Sequence, residues 1–335
     1  MDGQSSRQDN ALSLIRIMAA FQVMFGHMLE HLDLPIDSTL YGITYYFRGV
    51  PIFFALSGFL IWFSIGRSKS YGIYLKKRFL RIYPELWVAL LIEIIILVIL
   101  YHGWEIKSLL LFVFAQGTIF QFWTPSSLRG YGVGTPNGAL WTIGVMIQFY
   151  VIAWFVYKLF KGKNNRVWIM GLIISFAVSW VLGMAFDHIG IEIVSKLYSQ
   201  TIIKYFWLFY IGAFIAEFKE KMLPMFQKYW WVLLIIAAAF FWIQFDIYSG
   251  YHLFWSTFLI AGLIGFAYRF PQLQLETDIS YGIFLYHMTA VNAFVIFGWI
   301  KNWVWAALCI CITVGLAWVS TMTIGVWVTK HKNGV

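Results

Sequence analysis

Apolar segments recur along the whole chain, at about residues 11–32, 44–65, 85–101, 107–123, 139–160, 167–186, 202–217, 229–245, 252–268, 279–298 and 303–329. A segment buried in hydrocarbon has no water to satisfy its peptide groups. It must therefore fold as a helix or as part of a closed barrel. A spanning helix needs roughly 20 apolar residues, whereas a barrel strand is about half as long and alternates in polarity. The runs here are long and do not alternate, so they predict helices. Composition agrees, with 61% hydrophobic and 12% charged residues and a mean hydropathy of +0.74. The expected fold is an all-α integral membrane protein, one membrane-embedded domain over residues 1–335. It is a polytopic bundle in contact with the lipid bilayer.

Charge orients the bundle. The net charge of +9 falls mainly on loops between apolar runs, as the excess of Lys and Arg on cytoplasmic loops requires, so no nucleic-acid partner is implied. The stretch Gly66 to Pro84, read as a loop, holds Arg67, Lys69, Lys76, Lys77, Arg78 and Arg81 and is expected to be cytoplasmic. If all eleven segments crossed, the basic turn at Lys161, Lys163 and Arg166, and that at Lys219, Lys221 and Lys228, would fall on the opposite side. One segment must not cross. The weakest is 107–123, interrupted by Gln116, Gly117, Thr118 and Gln121. Without it, only Lys107, Arg129, Lys196 and Lys301 remain on the outer loops. About ten spans with both termini cytoplasmic are expected, in the inner (cytoplasmic) membrane. Segment 107–123 and the Gly/Pro-rich stretch 124–138 would then form an outward-facing re-entrant or surface feature. The polar start 1–10 shows no cleavage site before the first apolar run, which reads as an uncleaved span. Cys309 and Cys311 lie inside the last run with no zinc or disulfide spacing. No metal is called for.

Ionisable residues inside such runs are costly, so they normally face a protein interior or a water-filled path. In SLIRIMAAFQVMFGH, residues 13–27, Arg16 and His27 are eleven residues apart, about three helical turns and about 16 Å of rise. They share one face at different depths. A lone histidine on an apolar helix usually packs. With a cation on its face, His27 reads instead as a general base able to take a proton from a hydroxyl, and Arg16 as a group that steadies a developing negative charge or a phosphate. Glu30 and His31 mark the outer interface. In YLKKRFLRIYPE, residues 74–85, Arg78 and Arg81 are spaced i, i+3 on one helical face. Such a pair serves either as a topology signal or as a forked clamp for a cytosolic phosphorylated substrate. Ser57 and Gly58, in GVPIFFALSGFLIWF, suit close helix packing. His287, in ISYGIFLYHM, is a second histidine candidate. Glu93 is an acid buried in the third run.

Taken together, the arginine, ten residues, then histidine of Arg16 to His27, the FFALSGFLI segment, the RFLRIYP run, the LWTIGVMIQFY segment and ISYGIFLYH resemble, in order, the membrane-bound acyltransferase-3 family. The resemblance covers roughly residues 10–325. It implies ten spans and transfer of an acyl group, usually acetyl, from cytosolic acyl-CoA as co-substrate to a hydroxyl of an extracytoplasmic sugar or cell-envelope glycan. It also implies that Arg16 and His27 form the functional pair and that Arg78 and Arg81 match the family's paired arginines. One departure stands out. Many relatives have a glutamate where this chain has Met146, so the resemblance leaves open an altered or inactive protein, with Glu93 as an alternative acid.

The expected chemistry is O-acyl transfer, with CoA at the cytosolic arginines, His27 as base and no bound cofactor. The rival readings are a transporter or flippase of glycan intermediates, with Arg16 and His27 along a substrate path, and a catalytically inactive binding subunit. No paired half-repeats of the kind common in transporters are visible. The oligomeric state is not encoded in any motif.

Overall fold

The computed structural model describes residues 10–243 and 251–333, so that nearly all of the polar start 1–10 and the end of segment 229–245 lie outside them. The described residues contain helices and no strands. Among the described residues, seven helical stretches are long and apolar enough to cross a membrane, so the structure supports a multi-pass helical membrane protein at that coarser count.

The first span is α1 (Leu12–His31). The second apolar segment, expected to be continuous, breaks after α2 (Ser38–Tyr46) and resumes as α3 (Gly49–Gly66). The break follows from packing. Gly49 lies so close to α1 that a Cβ there would strike the Ala19 carbonyl, while its own N–H donates to Gln22 Oε1 at 2.6 Å.

The supposed loop Gly66 to Pro84 is largely helix. Only residues 67–70 turn, and α4 (Tyr71–Leu100) starts well before the apolar run. Ser70 caps it, its hydroxyl accepting from the Ile73 N–H at 3.3 Å. Lys and Arg are good helix formers, so charge sets where this helix leaves the bilayer and does not end it. Pro84 sits within the helix.

The interrupted segment 107–123 gives only α5 (Ile106–Gln116), a rise of about 16 Å against a hydrocarbon core of about 30 Å. It packs with Leu128 and Tyr131 of the following loop against Leu90 and Leu97. Next come α6 (Trp141–Phe160), α7 (Asn165–Ile189), the short α8 (Glu192–Tyr198), α9 (Ile202–Glu217), α10 (Lys219–Trp242), α11 (Leu253–Arg269), α12 (Ser280–Ile296) and α13 (Trp303–Ser320). The chain then passes through a π-helical turn (Thr321–Gly325) into α14 (Val326–Asn333).

α3 and α9 meet backbone to backbone. A Cβ at Gly58 would collide with the Phe209 carbonyl, and one at Gly212 with the Ala55 carbonyl. α12 is the most enclosed span, with all but a few of its residues buried. The basic segments gather at one end. Lys161 Nζ pairs with Glu217 at 3.2 Å, the Gly162 N–H donates to the same carboxylate, Trp62 Nε1 donates to it at 2.8 Å, and Lys219 lies over the rings of Phe63 and Tyr268. At the other end, Lys301 pairs with Asp33 at 3.2 Å.

Candidate active site

Three cavities follow one another along α1 and α3. At the basic end a vestibule of about 500 Å³ is lined by Arg16, Ser64, Arg67, Lys77, Arg78, Arg81 and Asp278. It shares Arg16, Leu60, Arg78 and Arg81 with a narrower cavity of about 150 Å³, walled mainly by Phe53, Phe54, Ile61, Ile143, Met146 and Phe284. That cavity in turn shares Val50, Thr142 and Phe284 with an outer one of about 270 Å³, which holds His27, Gln22, Glu30, Arg48, Trp141 and Tyr251. The order is polar, apolar, polar.

The arginines are held in place at the vestibule. Arg16 pairs with Asp278 at 2.8 Å, and Arg81 approaches the same carboxylate at 3.9 Å. Arg78 donates to Ser64 Oγ at 2.6 Å and lies over the rings of Tyr74 and Tyr150. Asp278 stands in the connection before α12. Burial opposes its charge, but Arg16, Arg81 and hydrogen bonds from Ser280 outweigh that penalty and hold the carboxyl below its ordinary range. One carboxylate thus serves two arginines, and Arg78, like Arg67 and Lys77, faces no carboxylate within 4.0 Å among the described residues. The vestibule keeps an excess of positive charge.

His27 lies three turns along α1 from Arg16, so the pair expected to act together belongs to different cavities. Its partner is His287. His27 Nδ1 lies 2.9 Å from His287 Nε2, with ring planes 4° apart. His287 is fully buried, and its Nδ1 faces only backbone acceptors, the carbonyls of Phe284 at 2.9 Å and Ile283 at 3.2 Å. That nitrogen must carry a proton. An imidazolium has no counter-ion here, so the ring is neutral and its Nε2 is an acceptor. His27 therefore donates from Nδ1, which leaves the lone pair on its Nε2. The His31 ring lies beside it, 5.8 Å between centroids.

Met146 is not beside His27. It lines the apolar cavity with Arg16, Arg78 and Arg81, so a carboxylate there would face the arginines and not His27. Glu93 lines none of the three cavities. It is buried, 3.5 Å from Asn137 Nδ2, which also donates to the Leu285 carbonyl at 3.0 Å. With Asn292, which accepts from Val133 N–H and donates to the carbonyls of Thr135 and Pro136, it holds the loop 124–138 against α4 and α12. Sequence reasoning passed over Asp278 and Arg48. Asp278 left a faint signal as the acid directly before the ISYGIFLYH segment, and Arg48 as a cation inside an apolar run.

Nodulation protein 10 of Rhizobium leguminosarum bv. viciae is 28% identical over 326 residues, covering 89% of this chain and 87% of that protein. An O-acetyl transferase of Shigella phage Sf6 is 24% identical over 306 residues, 83% and 84% of the two chains. Peptidoglycan O-acetyltransferase OatA of Listeria monocytogenes is 24% identical over 287 residues, 73% of this chain but 45% of that longer protein. No solved structure matches the chain. A family model described as an acyltransferase domain matches residues 9–322. With nearly the whole chain matched and O-acetyltransferases among its relatives, the chain is an O-acetyltransferase-like enzyme and belongs to the acyltransferase-3 family.

Proposed function

We propose that the protein transfers an acyl group, acetyl by analogy with its relatives, from acyl-CoA at the basic end to a hydroxyl of a sugar or envelope glycan that enters from the other. The observation that carries this reading is the series of three adjoining cavities, running from an arginine vestibule through an apolar neck to His27. Arg78 and Arg81, with Arg67 and Lys77 nearby, present forked and point-charge donors suited to the phosphates of CoA. The apolar neck takes the acyl-bearing arm, whose thioester reaches the partition formed by Val50, Thr142 and Phe284. Arg16, held by Asp278, serves donor binding, since it stands in the vestibule and not beside the base.

The lone pair of His27 Nε2 takes the proton of the acceptor hydroxyl as its oxygen attacks the thioester carbonyl. Collapse of the tetrahedral intermediate breaks the C–S bond, and the CoA thiolate recovers the proton from His27. His287 acts as a positioning residue that fixes the tautomer. A donor confined to one side thereby meets an acceptor confined to the other.

The same geometry supports ten crossings with both termini at the basic, cytoplasmic end of an inner membrane. The seven long helices are joined by α9, α11 and α12, which are shorter but run between the same two ends, while α5 stays at the outer end. The test is thiol release from acetyl-CoA by the purified full chain with a mixed-glycan acceptor. Release that depends on acceptor and on His27 is expected. Release equal in His27→Ala protein would refute the mechanism, and substrate translocation without release would favour a transporter.

A further inference from the structure

Arg48 is the cation of the outer cavity, and the reaction as described leaves it unused. It caps the start of α3, and its guanidinium carbon lies 5.7 Å from the ring centres of both Tyr45 and Tyr251. Its Nε is buried without a hydrogen-bond partner, and no carboxylate of the described residues stands within 4.0 Å of it. The contrast with the vestibule is informative, because there Asp278 lies within ion-pair distance of two arginines. Glu30 lines the same cavity but makes no ion pair with Arg48.

Two further features point the same way. The first turns of α3 and α6 both open on this cavity, through Gly49 and Val50 and through Trp141 and Thr142. Each carries the partial positive charge of a helix N-terminus. Between them His27 is a neutral base. A half-buried, unpaired guanidinium between aromatic rings, beside two helix N-termini, is built to receive an anion. The rings suit stacking against the face of a sugar.

We propose that the outer cavity selects an acceptor that carries an anionic group, held by Arg48 while a hydroxyl of the same molecule reaches His27. The inference rests on the acyl-transfer reading for the hydroxyl and refines its substrate class. Two sources supply such chemistry, a uronic-acid carboxylate and a sugar phosphate, and both belong in the test.

Binding to the purified full-length protein is measured by calorimetry, without turnover, for digalacturonic acid, its dimethyl ester and galactose 1-phosphate. The wild-type protein is expected to prefer one of the two anions over the neutral ester by about tenfold, the range of a charge-assisted hydrogen-bonded pair. Whichever anion is preferred identifies the source. In Arg48→Ala the preference is expected to shrink to within about twofold, and in Arg48→Lys to survive in part, since a point charge replaces the fork. CoA affinity, measured on each variant, reports that the fold is intact. Absence of any anion preference in the wild type, including binding of none of the three probes, overturns the proposal, and so does a preference that persists in a folded Arg48→Ala protein. Failure of the acyl-transfer reading is a separate result, the absence of thiol release from acetyl-CoA in wild-type protein.

Discussion

In the proposed mechanism His27 is made a directional base by its neighbour. With Nδ1–H committed to His287, only Nε2 can accept a proton. His27→Ala is expected to lower kcat by about a hundredfold to ten-thousandfold, the usual contribution of a positioned base, with the KM for acyl-CoA within about twofold. Loss expressed mainly in that KM would reassign His27 to donor binding. His287→Ala is expected to cost about tenfold in kcat with little change in KM, to alter the pH–rate profile because the tautomer is no longer held, and to be partly rescued by His287→Gln, whose amide oxygen can accept from His27. A variant with an unchanged pH profile would make His287 a packing residue. At the vestibule, Asp278 has a depressed folded pKa, so its contribution to stability is in full force above the ordinary value of 3.8 and is lost as pH falls through the lower folded value. Asp278→Asn is therefore expected to lower thermal stability at pH 7 and to lose that difference only in strong acid. A midpoint difference that vanished between pH 5 and 6 would contradict the ion pairs.

At the scale of elements, the close approach of α3 and α9 fixes the wall of the apolar neck. Gly58→Ala places a methyl group against the Phe209 carbonyl, which is backbone and cannot rotate away. A cost of about 1–3 kcal/mol is expected from overpacking, read as a lower melting temperature in detergent. An unchanged melting temperature would mean that the helices can part without loss. α4 contributes differently. Because it begins at Tyr71, Arg78 and Arg81 are fixed on a helix and not carried on a loop, and they face the vestibule together with Arg16. Replacing both by Ala is expected to weaken CoA binding about tenfold or more, and by Lys to restore only part of it. Equal CoA affinity in the double variant would leave them as topology signals.

For the whole molecule, the proposed ten-crossing arrangement predicts which positions share a compartment. Cysteines placed at Ser68 and Lys163 are expected to react with an impermeant thiol reagent from the cytoplasmic side, and cysteines at Lys196 and Asn302 from the other. Labelling of Ser68→Cys and Lys163→Cys from opposite sides would overturn the arrangement. The amino-acid sequence by itself determined that the chain is a helical membrane protein, because hydropathy is a sum over consecutive residues and needs no partner to be read. It also singled out Arg16, His27 and His287, because a charged or titratable group in an apolar run stands out by its cost alone, and Arg78 and Arg81 by their i, i+3 spacing. Helix ends were less legible. A basic stretch looks like a loop, and the break at Phe47 and Arg48 depends on how closely Gly49 approaches α1. Only the tertiary structure decided who meets whom: that His27 faces His287 from 260 residues away, that Asp278 neutralises Arg16, and that Met146 faces the arginines and Glu93 the outer loop. Those pairings follow from the rotation and depth of packed helices, which local periodicity leaves open.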